Sequence, residues 1–118
     1  MEGGMLVAFN VRLPGPMAVE TLREFLLRAP GVIEMTRITE PSIAGGVMGL
    51  TGAVILAESH IAVHEVRSHW LAIVHVFSCQ RFDLAQALPT LAVLLRGLCI
   101  LGEPEVIERE LPGPVWPQ

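Results

Sequence analysis

At 118 residues the chain is long enough for one buried core and too short for two, so it reads as a single domain, 1–118. A net charge of -4 with no basic cluster excludes nucleic acid as a partner, and all eight basic residues are arginine, so no lysine is present to hold pyridoxal phosphate (PLP). Hydrophobic residues make up 52% and charged residues only 17%, which leaves apolar surface for a second subunit to cover.

Met5 to Leu13 is apolar and partly alternating, the pattern of a strand, and Pro14-Gly15-Pro16 ends it. From Met17 to Arg28 the apolar positions Val19, Leu22, Phe25 and Leu26 recur at helical spacing, predicting an amphipathic helix closed by Pro30-Gly31. Val32 to Thr39 alternates weakly and reads as a second strand; Glu40 to Gly46 reads as loop. Three strands follow, at Val47 to Ala57, His60 to Val66 and Trp70 to Ser78, the last two joined through the short link Arg67-Ser68-His69. Asp83 to Leu98 is a second helix with Asp83 as its N-cap and Leu84, Leu88, Leu91, Leu95 and Leu98 as its buried stripe; Pro89 predicts a kink or a late start. A last strand runs from Glu105 to Leu111, and a loose tail from Pro112 to Gln118.

The order strand-helix-strand-strand-strand-strand-helix-strand predicts an α+β fold, a two-layer α/β sandwich with both helices on one face of a mainly antiparallel sheet. The other face of so apolar a sheet would be left open in a monomer, and a homodimer is the expected remedy. No apolar run reaches the roughly 18 residues of a membrane span, the longest being broken by Asp83, Gln86, Pro89, Thr90 and Arg96. Met1 to Asn10 lacks the features of a signal peptide, so a cytoplasmic protein without a membrane partner is expected. Cys79 and Cys99 are too few and too far apart for a zinc knuckle; no metal and no disulfide are expected, and Cys99, between Leu98 and Ile100, reads as a small buried hydrophobe.

The chemistry concentrates in Ala57-Glu58-Ser59-His60-Ile61-Ala62-Val63-His64, where an acid, a hydroxyl and two imidazoles interrupt the most apolar part of the chain. Alternation sets His60, Ala62 and His64 on one face and Ile61 and Val63 on the other, as in any half-exposed strand. Ser59 and His64 stand an odd number of residues apart, so a partnership between them requires Ser59 to lie at a bend or bulge. His69 and His75 read as structural or substrate-facing.

Glu58-Ser59-His60 with His64 five residues after the serine, followed by Val76-Phe77-Ser78-Cys79 with its cysteine twenty residues after it, resembles the prokaryotic S-adenosylmethionine decarboxylase proenzyme family. Gly49-Leu50-Thr51-Gly52 stands where that family has a glycine-valine-serine-glycine strand. The resemblance covers nearly the whole chain and implies self-cleavage between Glu58 and Ser59, into 1–58 (β chain) and 59–118 (α chain). Ser59 would become a pyruvoyl group, whose ketone forms a Schiff base with the α-amine of a small-molecule amino-acid substrate and takes up the electrons released with carbon dioxide. By the same resemblance His64 would move a proton during processing, Cys79 would return one to the substrate carbanion, and Thr51, in place of the family serine, would aid processing. The implied role is S-adenosylmethionine decarboxylation in spermidine, and hence polyamine, biosynthesis.

The departures concern substrate. Ser42-Ile43-Ala44-Gly45-Gly46 has none of the aromatic residues that the family carries there against adenine; Val66-Arg67-Ser68 replaces a tryptophan-proline-glutamate; and His75 replaces an aspartate four residues before the cysteine. One alternative is the same chemistry on arginine or ornithine, with Glu65 or Glu34 as partner for a distal cation. Another is a non-catalytic regulatory homologue.

Overall fold

The computed structural model describes residues 4–98 and 102–110. Cys99 and the tail from Pro112 lie outside the described residues. The elements are β1 (Met5–Arg12), α1 (Val19–Val32), β2 (Ser42–Gly46), β3 (Gly49–Leu56), β4 (Ser59–Val66), a 3-10 turn (Arg67–His69), β5 (Leu71–Ser78), α2 (Leu84–Arg96) and β6 (Glu105–Glu110). Six strands form one sheet in the order β2-β3-β4-β5-β1-β6, antiparallel at every pairing. The short β2–β3, β3–β4 and β4–β5 connections make four consecutive strands a meander. The two helices carry the chain over the sheet, α1 from β1 to the far edge and α2 from β5 across to β6.

Alternation decides which face the helices cover. Val7, Phe9 and Val11 of β1, Val54 and Leu56 of β3, Ile61 and Val63 of β4, and Val74 and Val76 of β5 are buried together with Leu22, Phe25 and Leu26 of α1 and Leu84, Leu91 and Leu95 of α2. Both helices therefore lie on one face, and the fold is the two-layer α+β sandwich expected. Gly52 lets α1 approach: a Cβ there would stand 2.9 Å from Leu26 Cδ1 and 3.0 Å from Leu22 Cδ2. The opposite face carries Leu6, Ala53, Ile55, Ala62, Val66, Leu71, Ile73 and Phe77, and no described element covers it. Ile55 is 54% exposed.

The expected element order holds, with the second strand displaced. Ser42–Gly46, expected as loop, is β2, and Val32 to Thr39, expected as a strand, holds only an isolated bridge from Arg37 to Leu56. Two causes act together. Helix α1 continues through Pro30 and consumes Val32, because Pro30 falls in the last turn, where one missing N–H is tolerable; the N–H groups of Ile33, Glu34 and Met35 then return to the carbonyls of residues 29–31. Glu34 is left-handed at φ 59°, which breaks extended geometry. Ser42–Gly46, weak in strand propensity, is recruited as an edge by the backbone groups of β3.

Helix α2 starts on time: the Asp83 carboxylate accepts the Gln86 N–H at 3.1 Å, and Pro89 sits on the exposed side within the helix. The predicted stripe is corrected at two positions. Leu88 is only half-buried, and Leu98, beyond the helix end, is 93% exposed; Ala87 and Ala92 take the close-packed places instead.

Candidate active site

The β3–β4 hairpin turns through two residues, Ala57 and Glu58, closed by the pair Leu56 and Ser59. Glu58 is left-handed at φ 59°, a conformation that costs a residue with a Cβ roughly 1–2 kcal/mol. The peptide bond leading into Ser59 thus follows a strained residue. Ser59 is the first residue of β4 and points to the helix-covered face, where it is buried. Its Oγ accepts the backbone N–H of Cys79 at 2.9 Å.

Cys79 directly follows β5, and its buried thiol donates to the Ala57 carbonyl at 3.7 Å. Backbone and side chain of Cys79 therefore both grip the turn that carries Glu58 and Ser59. Ser78 secures Cys79 from the other side, donating to the Gln80 carbonyl and accepting the Gln80 N–H at 3.1 Å. The structure thus brings together Glu58, Ser59 and Cys79, twenty residues apart in sequence but adjacent at one end of the sheet. Ser78 was missed by sequence reasoning; a serine ending an alternating strand gives no sign of its turn bonds.

His64 and Thr51 form a second, separate group. They face each other across β3 and β4 on the open face of the sheet. The ring of His75, on β5, meets that of His64 edge to face, centroids 5.4 Å apart at 88°. His60, on the same face, stacks on Phe77 at 6.0 Å. Burial, and then the nearby His75, hold the His64 pKa below its ordinary value of 6.5.

The bend or bulge that would join Ser59 to His64 is not there. β4 pairs with β3 in one unbroken register from Ser59 to His64, and with β5 from His60 to Val66. Five residues of strand put the two α-carbons about 16 Å apart, on opposite faces. Within one chain the hydroxyl and the imidazole do not meet.

Glu65 is not available to a substrate cation. It is buried on the helix face, where its carboxylate accepts the N–H groups of Met17 (2.7 Å) and Leu50 (2.9 Å) and pairs with Arg67 (3.0 Å). Burial pushes its pKa up, but the bonds from Arg67, Met17 and Leu50 and the guanidinium charge outweigh this and hold it below 4.5. It is a strap tying the entry to α1, the start of β3 and the 3-10 turn to one carboxylate. Glu34 lines a 220 Å³ cavity with Phe82, Asp83 and Gln86 near the start of α2, away from the face that bears His64. His69 bonds Ser68 at the opposite end of β4 from Ser59.

The fold defines a class first: antiparallel sheets covered on one face by two helices, shared with the solved structure of the adenosylmethionine decarboxylase from Aquifex aeolicus VF5. The TM-score is 0.72 at 23% identity, over 99% of this chain and 96% of that one, a likeness of fold. The family model of S-adenosylmethionine decarboxylase matches residues 17–97, and the chain belongs to that family. Among curated proteins it is similar to the S-adenosylmethionine decarboxylase proenzymes of Aquifex aeolicus (41% identical over 61 residues, 52% of this chain) and of Hydrogenobaculum sp. (37% over 60 residues, 51% of this chain). Each match spans 45% of the relative's length. Among the described residues no helix is long and apolar enough to cross a membrane.

Proposed function

We propose that the chain is a self-processing, pyruvoyl-dependent decarboxylase acting on S-adenosylmethionine. The observation that carries this reading is the meeting of Ser59 and Cys79 at the strained Glu58 turn. The Cys79 N–H occupies one lone pair of Ser59 Oγ and fixes its position beside the bond to be cut. The hydroxyl adds to the Glu58 carbonyl carbon and the Glu58–Ser59 amide is exchanged for an ester, which also releases the left-handed geometry at Glu58. A base then takes the Ser59 α-proton as the Glu58 carboxylate leaves, and water displaces ammonia from the resulting terminus, leaving a pyruvoyl group on the 59–118 chain. That ketone supplies an electron sink for an amino acid joined to it through the α-amine. The Cys79 thiol, already at this turn, is placed to return a proton to the substrate carbon.

The base is His64, supplied by a second copy. About 16 Å and the thickness of the sheet separate Ser59 from its own His64, so the base has to come from a second copy, seated against the open face so that its Thr51–His64 pair reaches past the sheet's end to the Glu58–Ser59 turn. The homodimer therefore covers the exposed face and completes the site. Family membership and the proenzyme names of the relatives support S-adenosylmethionine as the substrate, and polyamine synthesis is the role that the family resemblance implies. Glu65, bound on all sides by the fold, offers no partner to the distal cation of arginine or ornithine.

Intact-protein mass spectrometry on the purified chain, beside Ser59→Ala, tests the processing step. The expected result is two fragments meeting at Glu58/Ser59, with a pyruvoyl terminus on the second, and a single uncut chain for the variant. A folded wild type that stays whole would sink the proposal.

A further inference from the structure

His64 and His75 are brought together only by the pairing of β4 with β5: Ile73 is directly opposite His64, and His75 stands two residues further along the same face. Their rings meet at 5.4 Å, and both side chains are half-buried. A protonated His64 would need a counter-charge here, and none is within reach among the described residues. β2 and β3 contain no charged residue. The one acid of β4, Glu65, lies on the other face, satisfied by Met17, Leu50 and Arg67, and β5 has no titratable group except His75. Helix α1 packs on β4 from the opposite face, so its charged residues do not face the pair. Further off on the open face are His60, stacked on Phe77, and Arg12 at the end of β1. Glu105, bonded to Asn10 on β6, is three strands away, about 14 Å.

We propose that His75 is a positioning residue for His64: its edge-to-face ring, on a face where the chain's own strands β2 to β5 supply no carboxylate, holds the His64 imidazole in its neutral, proton-accepting form. The inference rests on the reading of His64 as the processing base. A second imidazole beside the first offers a charge on His64 no compensating partner and disfavours it. Burial acts in the same direction. An aspartate at position 75 would do the opposite, stabilising an imidazolium and removing the free lone pair at neutral pH. His75 thus sets the pH range in which self-cleavage runs.

The test has two readouts. NMR titration of the His64 ring in the Ser59→Ala chain, which stays uncut, should give a midpoint below 6.5; adding His75→Asp should raise it by about 1 unit or more, and His75→Asn by less. The acid limb of the self-cleavage rate in chains with Ser59 intact should move upward by the same amount for each variant. The dispersed NMR spectra show which variants fold, and the asparagine variant carries the comparison if the aspartate variant does not. A His64 midpoint that ignores residue 75 overturns the inference, as does a cleavage profile that stays still while the midpoint moves. A wild type uncut at every pH overturns it by removing the processing reading itself, a failure that the mass measurement separates from the other two.

Discussion

The separation of Ser59 from His64 leads to a prediction that a single-chain site would not make. Under the proposed function Ser59→Ala would lack the nucleophile and His64→Ala the base, so each variant alone should remain uncut. When the two are co-expressed in equal amounts and dimerise at random, about half of the His64→Ala chains pair with a Ser59→Ala chain. In each such pair one site is whole: Ser59 and Cys79 from the first chain and His64 from the second. About half of the His64→Ala chains should therefore be cleaved, while the Ser59→Ala chains stay intact, and intact-mass measurement distinguishes them. The magnitude rests on the roughly 16 Å of continuous strand that no side chain of one protomer can span. If heterodimers form, as judged by differently tagged chains co-purifying, and the His64→Ala chains remain whole, the shared site is refuted.

Two further predictions concern the scaffold of the site. Gly52→Ala should lower stability by about 1–3 kcal/mol, measured by the urea midpoint in the Ser59→Ala background, because its methyl would drive into Leu22 and Leu26. An unchanged midpoint would mean that α1 shifts freely on the sheet. Glu65→Gln should cost about 2–3 kcal/mol at neutral pH through loss of charge-assisted bonds to two backbone N–H groups and Arg67. Since the folded pKa of Glu65 is depressed, its stabilisation is fully present above its ordinary value of 4.5 and disappears as pH falls through the lower folded value. The gap between wild type and Glu65→Gln should narrow on acidification below about 4; a gap independent of pH would show that the charge of Glu65 is not what matters.

Local pattern carried much of the fold. The alternation in β1, β3, β4 and β5, the buried Leu84, Leu91 and Leu95 of α2 and the Asp83 cap are each written within a few neighbouring residues, and the structure places them where the pattern puts them. Where the outcome depended on a distant partner, the pattern failed. Ser42–Gly46 is a strand because β3 lends it hydrogen bonds, and Val32 to Thr39 is not one because α1 runs past Pro30. Glu65 stood in the sequence as a candidate partner for a substrate cation; the closeness of Met17 and Leu50 made it a buried strap.

The linear order of residues by itself determined the reactive inventory and its facing: a serine behind a glutamate, a histidine of opposite parity on the same strand, a cysteine twenty positions on, and no lysine. Side-chain parity along a strand is a local property, so the opposition of Ser59 and His64 was already legible. Only the tertiary structure decided that no bulge rescues that opposition, that Cys79 closes on the Glu58 turn, and that His75 stands beside His64. Those facts depend on strand register, which is set by the packing of α1 and α2 over the whole sheet and cannot be read from any one segment.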